Sequence, residues 1–245
     1  MKRVAIVQSN YIPWKGYFDL IGMVDHFVLY DDVEFNRYNW RNRNRIKTPG
    51  GTRWLTIPVR HAGSRPRIQE IEIAYPTWNR KHWETLRHHY ARAPYYSLHR
   101  EFFEELYLGS QERRLSEINS RFLRAICGLW GIRTEFSWSR DYCLAEGRIP
   151  RVVDLCRQLG ASVFLSGPTA RPYIEEHLFR EAGISVEWMS YDHYPEYRQL
   201  YSPPFIHEVS IVDLIFNEGA EGAWRFMQSA RRRSDAPVDG PLVPC

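Results

Sequence analysis

The sequence predicts an α/β protein with a Rossmann-like, mainly parallel sheet, a β-hairpin and a helical insertion. Short apolar runs that suit buried strands alternate with amphipathic segments that suit helices. The first two runs also end in polar residues, and open parallel sheets hold their ligands at the carboxyl ends of their strands. We therefore expect a single α/β domain over residues 1–230, followed by a tail at 231–245 that is predicted to be disordered.

The first unit is a strand, a helix and a second strand. Val4–Val7 and His26–Tyr30 are short apolar runs bounded by polar residues. Between them, Trp14–Val24 places its apolar positions mainly on one helical face, and Pro13 suits the first turn of that helix. A short helical crossover of this kind predicts a parallel, right-handed pair of strands.

The middle of the chain predicts a hairpin and then helices. Trp54–Val59 and Ile68–Ile73 are strand-like, and the loop between them has a length that suits a hairpin. Residues 79–130 turn helical in three pieces, with breaks at Ala93-Pro94 and Gly109-Ser110. We expect these helices to form an insertion over the sheet.

The α/β pattern resumes after Gly147 and completes the predicted sheet. Its elements are, in chain order, a helix at Pro150–Leu159, a strand at Ser162–Leu165, a helix at Arg171–Ala182, a strand at Ile184–Met189 and two closing helices at Val209–Phe216 and Glu221–Ala230. Ser210 is available as the N-cap of the first closing helix.

Composition bounds the classes of function. Aromatic residues make up 15% of the 245-residue chain, with 9 Trp and 15 Tyr, and such an excess fits a ligand-lined cleft or a contact surface as well as a core. The four cysteines form no CxxC pair and no zinc-like spacing, so we expect a reducing compartment and no metal site. We expect a cytoplasmic protein without membrane insertion, because no signal-peptide pattern and no apolar run near ~20 residues occurs. We also expect no nucleic-acid partner.

Polar and aromatic side chains concentrate at the end of the first predicted strand. They are Gln8, Asn10, Tyr11, Trp14 and Tyr17. These residues suit the lining of a site for a sugar, a nucleoside or a pantetheine arm. The alternative is a turn held by hydrogen bonds to its own backbone.

Trp14-Lys15-Gly16-Tyr17 stands where nucleotidyltransferases and the related aminoacyl-tRNA synthetases carry a His-x-Gly-His signature. The glycine matches, because a missing side chain lets a nucleobase or phosphate approach the helix terminus. Both histidines are replaced by aromatic residues, so the pattern favours the fold more than ATP-dependent adenylyl transfer.

Asp31-Asp32 ends the second predicted strand. Paired carboxylates can bind a metal, act as a general base or receive an arginine fork. Because successive strand residues point to opposite faces, we expect only one of the two to face the cleft. Salt bridges to the arginines that follow are the alternative.

The stretch Asn42-Arg43-Asn44-Arg45-Ile46-Lys47 alternates amides with cations. In an extended segment Asn42 and Asn44 share one face, while Arg43 and Arg45 share the other. Arginine gives bidentate contacts to anions, and asparagine can polarise a carbonyl. A solvated basic loop is the alternative.

Three further groups are weaker candidates. The Ser166-Gly167-Pro168 turn at a helix entrance could receive an anion on its amides. Tyr197-Arg198-Gln199 is a polar aromatic group. His82 stands beside two tryptophans on a predicted helix, where we expect surface exposure, with general-base duty as the alternative.

The chain resembles the WbqC-like protein family at nearly all of these motifs. The matching pieces are Gln8-x-Asn10-Tyr11-x-Pro13-Trp14-x-Gly16-Tyr17-Phe18, Asp31-Asp32-Val33, Asn42-Arg43-Asn44-Arg45-Ile46-Lys47, Trp54-Leu55-Thr56-Ile57-Pro58-Val59, Trp78 with His82, Ser166-Gly167, Tyr197-x-Gln199 and Ser210-Ile211-Val212-Asp213-Leu214. The resemblance implies a bacterial cytoplasmic protein associated with O-antigen and other surface-polysaccharide clusters or with specialised metabolites. It carries no assigned reaction.

These observations lead us to expect an amide-forming enzyme. It would move an activated acyl or aminoacyl group from a carrier-protein or coenzyme A thioester onto a small-molecule amine such as an amino sugar, with no cofactor required beyond a phosphopantetheine-bound donor. Asp32 or His82 is the candidate base, and Asn42 and Gln8 are the candidate carbonyl donors.

The remaining candidate residues bind rather than react. Those expected to bind substrate are Asn10, Tyr11, Trp14, Tyr17, Asp31, Asn44, Ser166, Tyr197 and Gln199. Arg43, Arg45 and Lys47 are expected to dock the phosphopantetheine phosphate or an acidic carrier protein. Two alternatives stay open: nucleotidyl transfer with a divalent ion on Asp31 or Asp32, and a non-catalytic binding protein of a biosynthetic complex.

Overall fold

The computed structural model describes residues 1–60 and 63–229. The predicted tail at 231–245 lies outside the described residues, as do Ala230 and the His61-Ala62 part of the predicted hairpin loop. The strands are β1 (Arg3–Val7), β2 (His26–Leu29), β3 (Arg43–Thr48), β4 (Gly51–Thr56), β5 (Val59–Arg60), β6 (Glu72–Ile73), β7 (Glu135–Trp138), β8 (Val163–Ser166) and β9 (Ser185–Trp188). The α-helices are α1 (Lys15–Gly22), α2 (Trp78–Tyr90), α3 (Tyr96–Leu108), α4 (Leu115–Leu129), α5 (Arg148–Gln158), α6 (Glu176–Glu181) and α7 (Ile211–Ala223).

The centre of the fold is a five-stranded parallel sheet in the order β7-β2-β1-β8-β9. Val4 of β1 pairs with His26 of β2 on one side and with Phe164 of β8 on the other. The prediction of a Rossmann-like parallel sheet is therefore confirmed, whereas the likeness to nucleotidyltransferases stays a prediction. The chain leaves β1 toward β2 and later returns to β8 on the opposite side, so the gap between β1 and β8 is where such sheets hold ligands.

Strand β7 has no counterpart in the sequence prediction. It pairs in parallel with β2, placing Phe136 opposite Phe27 at one edge of the sheet. Its sequence Glu-Phe-Ser-Trp alternates polar and aromatic residues, and no residue of the strand is fully buried. A short edge strand of this kind produces no apolar run, which is the signal on which the prediction depended.

The prediction of the hairpin is partly wrong. Trp54 lies in β4, which pairs antiparallel with β3 and not with Ile68–Ile73. Pro49-Gly50 joins β3 to β4, and Gly51 has a φ of +107°, a conformation that favours glycine. Only a short antiparallel ladder, β5 with β6, remains of the predicted pairing. The pattern missed β3 because its residues are mostly arginine, asparagine and lysine.

Two predicted carboxyl-terminal helices are interrupted. Pro172 lies inside a 3-10 helix, Pro168–Tyr173, and α6 begins only after it. Near the end of the chain, Gly219 has a φ of +73° and kinks α7, and a 3-10 helix, Trp224–Phe226, follows. Ser210 is the N-cap of α7, as predicted: its Oγ accepts a hydrogen bond from the Val212 amide at 3.3 Å.

Helices cover both faces of the sheet. Three helices, α2 to α4, fall between Trp78 and Leu129 with breaks at the two predicted places, and with α1 and α7 they pack into the larger core around Phe18, Phe122 and Phe216. A smaller apolar cluster joins α5 and α6 to the other face of the sheet.

The cysteines among the described residues differ in exposure. Among residues 1–60 and 63–229, Cys143 is exposed, whereas Cys127 and Cys156 are buried. Burial raises the pKa of the Cys156 thiol to about 12. Within the same residues no helix combines the length and apolar character that crossing a bilayer requires.

Candidate functional site

The turn after β1 is built around the guanidinium of Arg41. This group donates one hydrogen bond to Asn10 Oδ1 and another to Gln8 Oε1. Both acceptors are neutral amides. Burial lowers the pKa of Arg41, while the nearby Asp31 opposes that shift. The two predicted amides at this strand end thus position a half-buried cation that the sequence analysis did not single out.

Asp31, which follows β2, contacts the same turn. Its carboxylate accepts hydrogen bonds from the Ser9 amide at 2.8 Å and from Ser116 Oγ at 2.5 Å. Burial raises the pKa of Asp31, and the two serine donors and Arg41 act against that rise. Asn119 of α4 adds support, donating to Ser9 Oγ and to the Arg41 carbonyl, each at 2.9 Å.

Asp32 faces the opposite side of the sheet. Its carboxylate accepts hydrogen bonds from Ser139 Oγ and from the guanidinium of Arg151 on α5. Asp31 and Asp32 therefore have separate partners, in line with the expected alternation of side chains. The predicted alternative of a salt bridge is present for Asp32, but its arginine comes from α5 rather than from the basic stretch that follows.

The two asparagines of the basic stretch are buried and hydrogen-bonded to backbone. Asn42 Nδ2 donates to the Ile57 carbonyl at 2.9 Å. Asn44 Nδ2 donates to the carbonyls of Tyr11 and Ile12, at 3.1 and 3.0 Å. Ile12 has a φ of +35°, which is unfavourable for a β-branched residue, so Asn44 fixes a strained turn.

Arg43 and Arg45 lie on the other face of β3, as predicted, against exposed aromatic rings. The Arg43 guanidinium carbon lies 4.3 Å from the centre of the Trp54 ring. That of Arg45 lies 5.5 Å from the Trp40 ring, and the two indole rings are 5.2 Å apart. We call Trp40, Trp54, Arg43 and Arg45 the hairpin surface.

Lys47 does not join this surface. It is buried, and its ammonium donates to Gln199 Oε1 at 3.2 Å and to the Pro204 carbonyl. Gln199 and Tyr197 in turn donate to Asp213 at 2.9 and 2.5 Å. These three predicted residues therefore belong to a second, buried network centred on Asp213, which ties the segment 194–210 to β3 and α7.

His82 is buried, so the expected exposure is wrong. Its Nε2 lies 3.2 Å from the Thr56 carbonyl, which can only accept, so the proton is on Nε2. Its Nδ1 is then the acceptor for the Tyr11 hydroxyl, 2.9 Å away, and Tyr11 also contacts the Tyr107 hydroxyl at 2.8 Å. Burial lowers the pKa of His82 to about 4, so the ring is neutral at pH 7. The expectation failed because Trp78 and Trp83 are themselves core residues, and His82 shares their side of α2.

The space over Gly16 is filled by the protein itself. A Cβ at this position would lie 2.8 Å from Trp14 Cε2, so the glycine makes room for the indole ring rather than for a nucleobase. Trp14 also packs on Tyr191 and Tyr194, with ring centres 5.2 and 5.6 Å away. The adjacent Tyr17 is buried, and its hydroxyl donates to the Gln8 carbonyl at 2.9 Å.

A pocket of about 140 Å³ opens between the turn after β1 and the hairpin surface. Its lining is Asn10, Pro13, Trp14, Trp40, Asn44 and Glu208. Three of these six were predicted to bind substrate. Glu208 is new: its side chain is 69% exposed, and its carboxylate lies 3.5 Å from Arg45. It lies within the segment 194–210, shortly before Asp213 in sequence, where no local pattern marks it.

Three serines also lie near the carboxyl ends of the strands, and only Ser166 was among the predicted site residues. Ser166 is buried at the end of β8, beside Gly167, whose missing side chain leaves room for the Tyr191 hydroxyl. The serines on Asp31 and Asp32, Ser116 and Ser139, were missed because they come from α4 and from the residue after the unpredicted strand β7. Among residues 1–60 and 63–229 we find no cluster of three or more His, Cys, Asp or Glu side chains suited to a metal ion.

Comparison with known proteins identifies the family of the chain. The model of the WbqC-like protein family matches residues 8–224. One relative, "Uncharacterized protein Rv1507c" of Mycobacterium tuberculosis, is 46% identical over 222 residues, which cover 90% of this chain and 96% of the relative. No solved structure matches significantly. The matched range includes the turn after β1, the hairpin surface and the Asp213 network, and the chain belongs to the WbqC-like protein family.

Proposed function

We propose that the protein transfers an activated acyl or aminoacyl group from a thioester to an amine, forming an amide. The pocket between the turn after β1 and the hairpin surface is the observation that carries this proposal. It combines two indole walls, Trp14 and Trp40, with the carboxylate of Glu208. An ammonium group is attracted both to aromatic faces and to a carboxylate, so this lining suits the amine acceptor.

Glu208 is the base in this proposal. The acceptor loses its ammonium proton to solvent, and the amine nitrogen then attacks the thioester carbon while its N–H proton passes to the Glu208 carboxylate. The C–S bond breaks, and Glu208 returns that proton to the thiolate, which departs as a thiol. Glu208 lines the pocket and is 69% exposed although Arg45 lies 3.5 Å away, whereas Asp32 is 7% exposed and held by Arg151 and Ser139. Both ring nitrogens of His82 have partners. We assign those two residues positioning roles.

Arg41 supplies the positive charge for the developing oxyanion. Arg41 lies behind Asn10, which lines the pocket and accepts a hydrogen bond from one of its terminal nitrogens, and Gln8 accepts one from the other. A cation held by neutral amides keeps its charge available, which supports this role. Asn42 and Asn44 position the turn and the hairpin, because their amide groups already donate to backbone carbonyls.

The hairpin surface is the proposed dock for the thioester donor. No aspartate or glutamate occurs from residue 35 to residue 69, whereas that stretch contains Arg43, Arg45 and several other basic residues. Trp and Arg dominate the energetics of protein interfaces, so an acidic carrier protein or its phosphopantetheine phosphate fits this surface. Lys47 contributes to the shape of the hairpin through Gln199 and not through contact with the donor.

The setting of the reaction belongs to the same proposal. We place it in the cytoplasm, in surface-polysaccharide or specialised-metabolite synthesis, where carrier thioesters and amino sugars meet. Nucleotidyl transfer and a non-catalytic binding role are the alternatives, and neither of them predicts the amine-dependent discharge of a carrier thioester.

The acceptor pocket is tested by comparing an amine with its acetylated form. Titrations of tryptophan fluorescence with glucosamine and with N-acetylglucosamine should show tighter binding of the amine, and Glu208→Gln should remove that difference. Glu181→Gln, at an exposed position on α6, is the matched control. Equal binding of the two sugars by the wild-type protein would contradict the assignment of the pocket.

The donor step is tested by intact-mass measurement of an acyl-loaded carrier protein. Discharge should require both the enzyme and an amine, and Arg41→Gln should reduce its rate by roughly 100-fold, the usual effect of losing one oxyanion donor. Arg43→Gln should weaken carrier binding without changing the rate at saturating carrier. Discharge that continues without an amine would indicate thioester hydrolysis and overturn the transfer reaction.

A further inference from the structure

A second cationic region lies at the carboxyl edge of the sheet, on the side of α5 and α6. It consists of Arg140, Arg148, Arg151 and Arg171, which we call the arginine set. Arg140 follows β7, Arg148 and Arg151 are on the first turn of α5, and Arg171 is in the 3-10 helix after β8. The amide-forming reaction proposed above uses none of these four residues.

Each guanidinium in the arginine set lies over an aromatic ring. The distances from guanidinium carbon to ring centre are 4.6 Å for Arg140 and Trp138, 4.5 Å for Arg148 and Tyr173, 5.7 Å for Arg151 and Tyr30, and 5.1 Å for Arg171 and Trp188. A stacked guanidinium is held in one plane while its N–H edge stays free. That arrangement is preorganised for bidentate contact with phosphoryl oxygens.

The contacts bring residues from different strands together. Tyr30 follows β2, and both Arg151 and Arg148 lie close enough to lower its pKa against the rise that burial causes. Tyr173, under Arg148, follows β8 on the far side of β1. Arg148 therefore reaches across the gap between β1 and β8, where a sheet of this strand order holds its ligand.

The charge of the arginine set is only partly neutralised. Within residues 1–60 and 63–229, Asp32 forms an ion pair with Arg151, and no carboxylate lies within 4.0 Å of the other three guanidinium groups. These three arginines are exposed, whereas Arg151 is half-buried and its Nε has no hydrogen-bond partner. Arg148 and Arg151 both lie near Tyr30, and Arg148 stacks on Tyr173, which shares the 3-10 helix of Arg171, whereas Arg140 lies over the edge strand β7. A row of cations at the ends of the strands suits an anion of more than one charge.

We propose that the arginine set binds the diphosphate group of a small-molecule substrate. Arg148 and Arg151 contact one phosphoryl group and Arg171 the other, with the rings beneath them keeping the guanidinium groups in place. A nucleoside diphosphate and the diphosphate of coenzyme A share this chemistry.

Calorimetric titration of the whole protein with pyrophosphate tests the site. Pyrophosphate should bind more tightly than inorganic phosphate, and Arg148→Gln or Arg171→Gln should each weaken binding by roughly 10-fold or more, because each removes charge-assisted hydrogen bonds. Arg157→Gln, an exposed position further along α5, is the control and should bind like the wild-type protein. Both test positions are exposed, so the fold is not at risk.

Titrations with UDP and with coenzyme A distinguish the two sources of the diphosphate. The ligand whose non-phosphate part also fits the site should bind more tightly than pyrophosphate. Unchanged binding by both variants, equal loss in Arg157→Gln, or no binding of pyrophosphate at millimolar concentration would each overturn the proposal. The measurement involves no amine and no thioester, so its outcome is independent of the amide-forming reaction.

Discussion

Trp14 and Gly16 are one packing unit at the entrance of α1. The Trp14 ring lies where a side chain at residue 16 would have to go. Gly16→Ala should therefore destabilise the protein by about 1–3 kcal/mol, the usual cost of forcing a methyl group into a filled space. Urea unfolding measures the change.

Gly128 provides the matched control for Gly16. It lies in α4, and an added Cβ would meet nothing within 4 Å. Gly128→Ala should stabilise the protein by about 0.5–1 kcal/mol through helix propensity alone. If the two substitutions had the same effect, the Trp14 ring would not be the reason for the glycine.

His82 makes stability depend on pH. Its folded pKa of about 4 lies below the unfolded value of about 6.5, so unfolding takes up a proton at acidic pH. The contribution is fully present above about pH 6.5 and is lost as pH falls toward 4. Between pH 7 and pH 5 the wild-type free energy of unfolding should fall by about 2 kcal/mol from this residue.

His82→Gln should remove that part of the pH dependence. Urea unfolding at pH 7 and pH 5 should show a smaller difference in the variant than in the wild-type protein. Exposed His177→Gln is the control and should leave the difference unchanged. An unaltered pH profile in His82→Gln would show that the ring is not held neutral.

At the scale of single residues, the sequence predicts which side chains share a face of a strand, but it does not predict their hydrogen-bond partners. The burial of Asn42 and Asn44, with Arg43 and Arg45 on the other face, follows from period-two geometry. The contacts of Arg41 with Gln8 and Asn10 join residues more than 30 positions apart, so no local pattern contains them. Only the folded chain brings these three residues together.

The element that depends most on a single group is the segment 194–210. Asp213 accepts hydrogen bonds from Tyr90, Tyr197 and Gln199 at 2.7, 2.5 and 2.9 Å, and it partly offsets the burial that lowers the pKa of Lys47. Asp213→Asn should cost about 3–5 kcal/mol, because a buried lysine then loses its countercharge. Thermal unfolding measures the overall loss.

Limited proteolysis locates the effect of Asp213→Asn. Cleavage should appear first within 194–210, because this segment is held to β3 and α7 through Gln199 and Tyr197. Glu181→Gln should show the wild-type cleavage pattern. Cleavage elsewhere in Asp213→Asn, with 194–210 intact, would contradict the assigned role.

At the scale of elements, apolar periodicity predicts the strands that contain an apolar run and misses those rich in polar residues. β1, β2, β8 and β9 are predicted within one or two residues, whereas β3 and β7 are not. β3 is rich in arginine and asparagine, and β7 is a half-exposed edge strand. Pairing partners, not sequence pattern, hold these two strands in place.

The whole molecule is predicted to unfold as one unit, although its core lies on both faces of the sheet. Phe179 of α6 stacks on Phe164 of β8 at 5.0 Å, far from the larger core. Phe179→Ala should cost about 3–5 kcal/mol, and it should shift the unfolding midpoint seen by circular dichroism and by tryptophan fluorescence equally. Phe179→Leu should give a smaller shift in both signals. Midpoints that separate in Phe179→Ala would show that the two faces unfold independently.

The overall topology follows from the sequence more completely than the site does. Alternating strand and helix patterns are sufficient to predict the parallel sheet, because few arrangements of such units exist. The pocket depends on how the β3–β4 hairpin meets the turn after β1, and that approach is set by Asn44 and by the strained φ of Ile12. Such side-chain-to-backbone contacts have no signature in composition or periodicity.

The exposed Cys143 is a site at which a fluorescent reporter of ligand binding can be attached. It lies between Arg140 and Arg148, in the loop that leads from β7 into α5, while Cys127 and Cys156 are buried. With Cys245 changed to serine, a maleimide dye would attach at this one accessible thiol among the described residues. Its emission would then follow ligand entry at the sheet edge in real time, during turnover as well as at equilibrium.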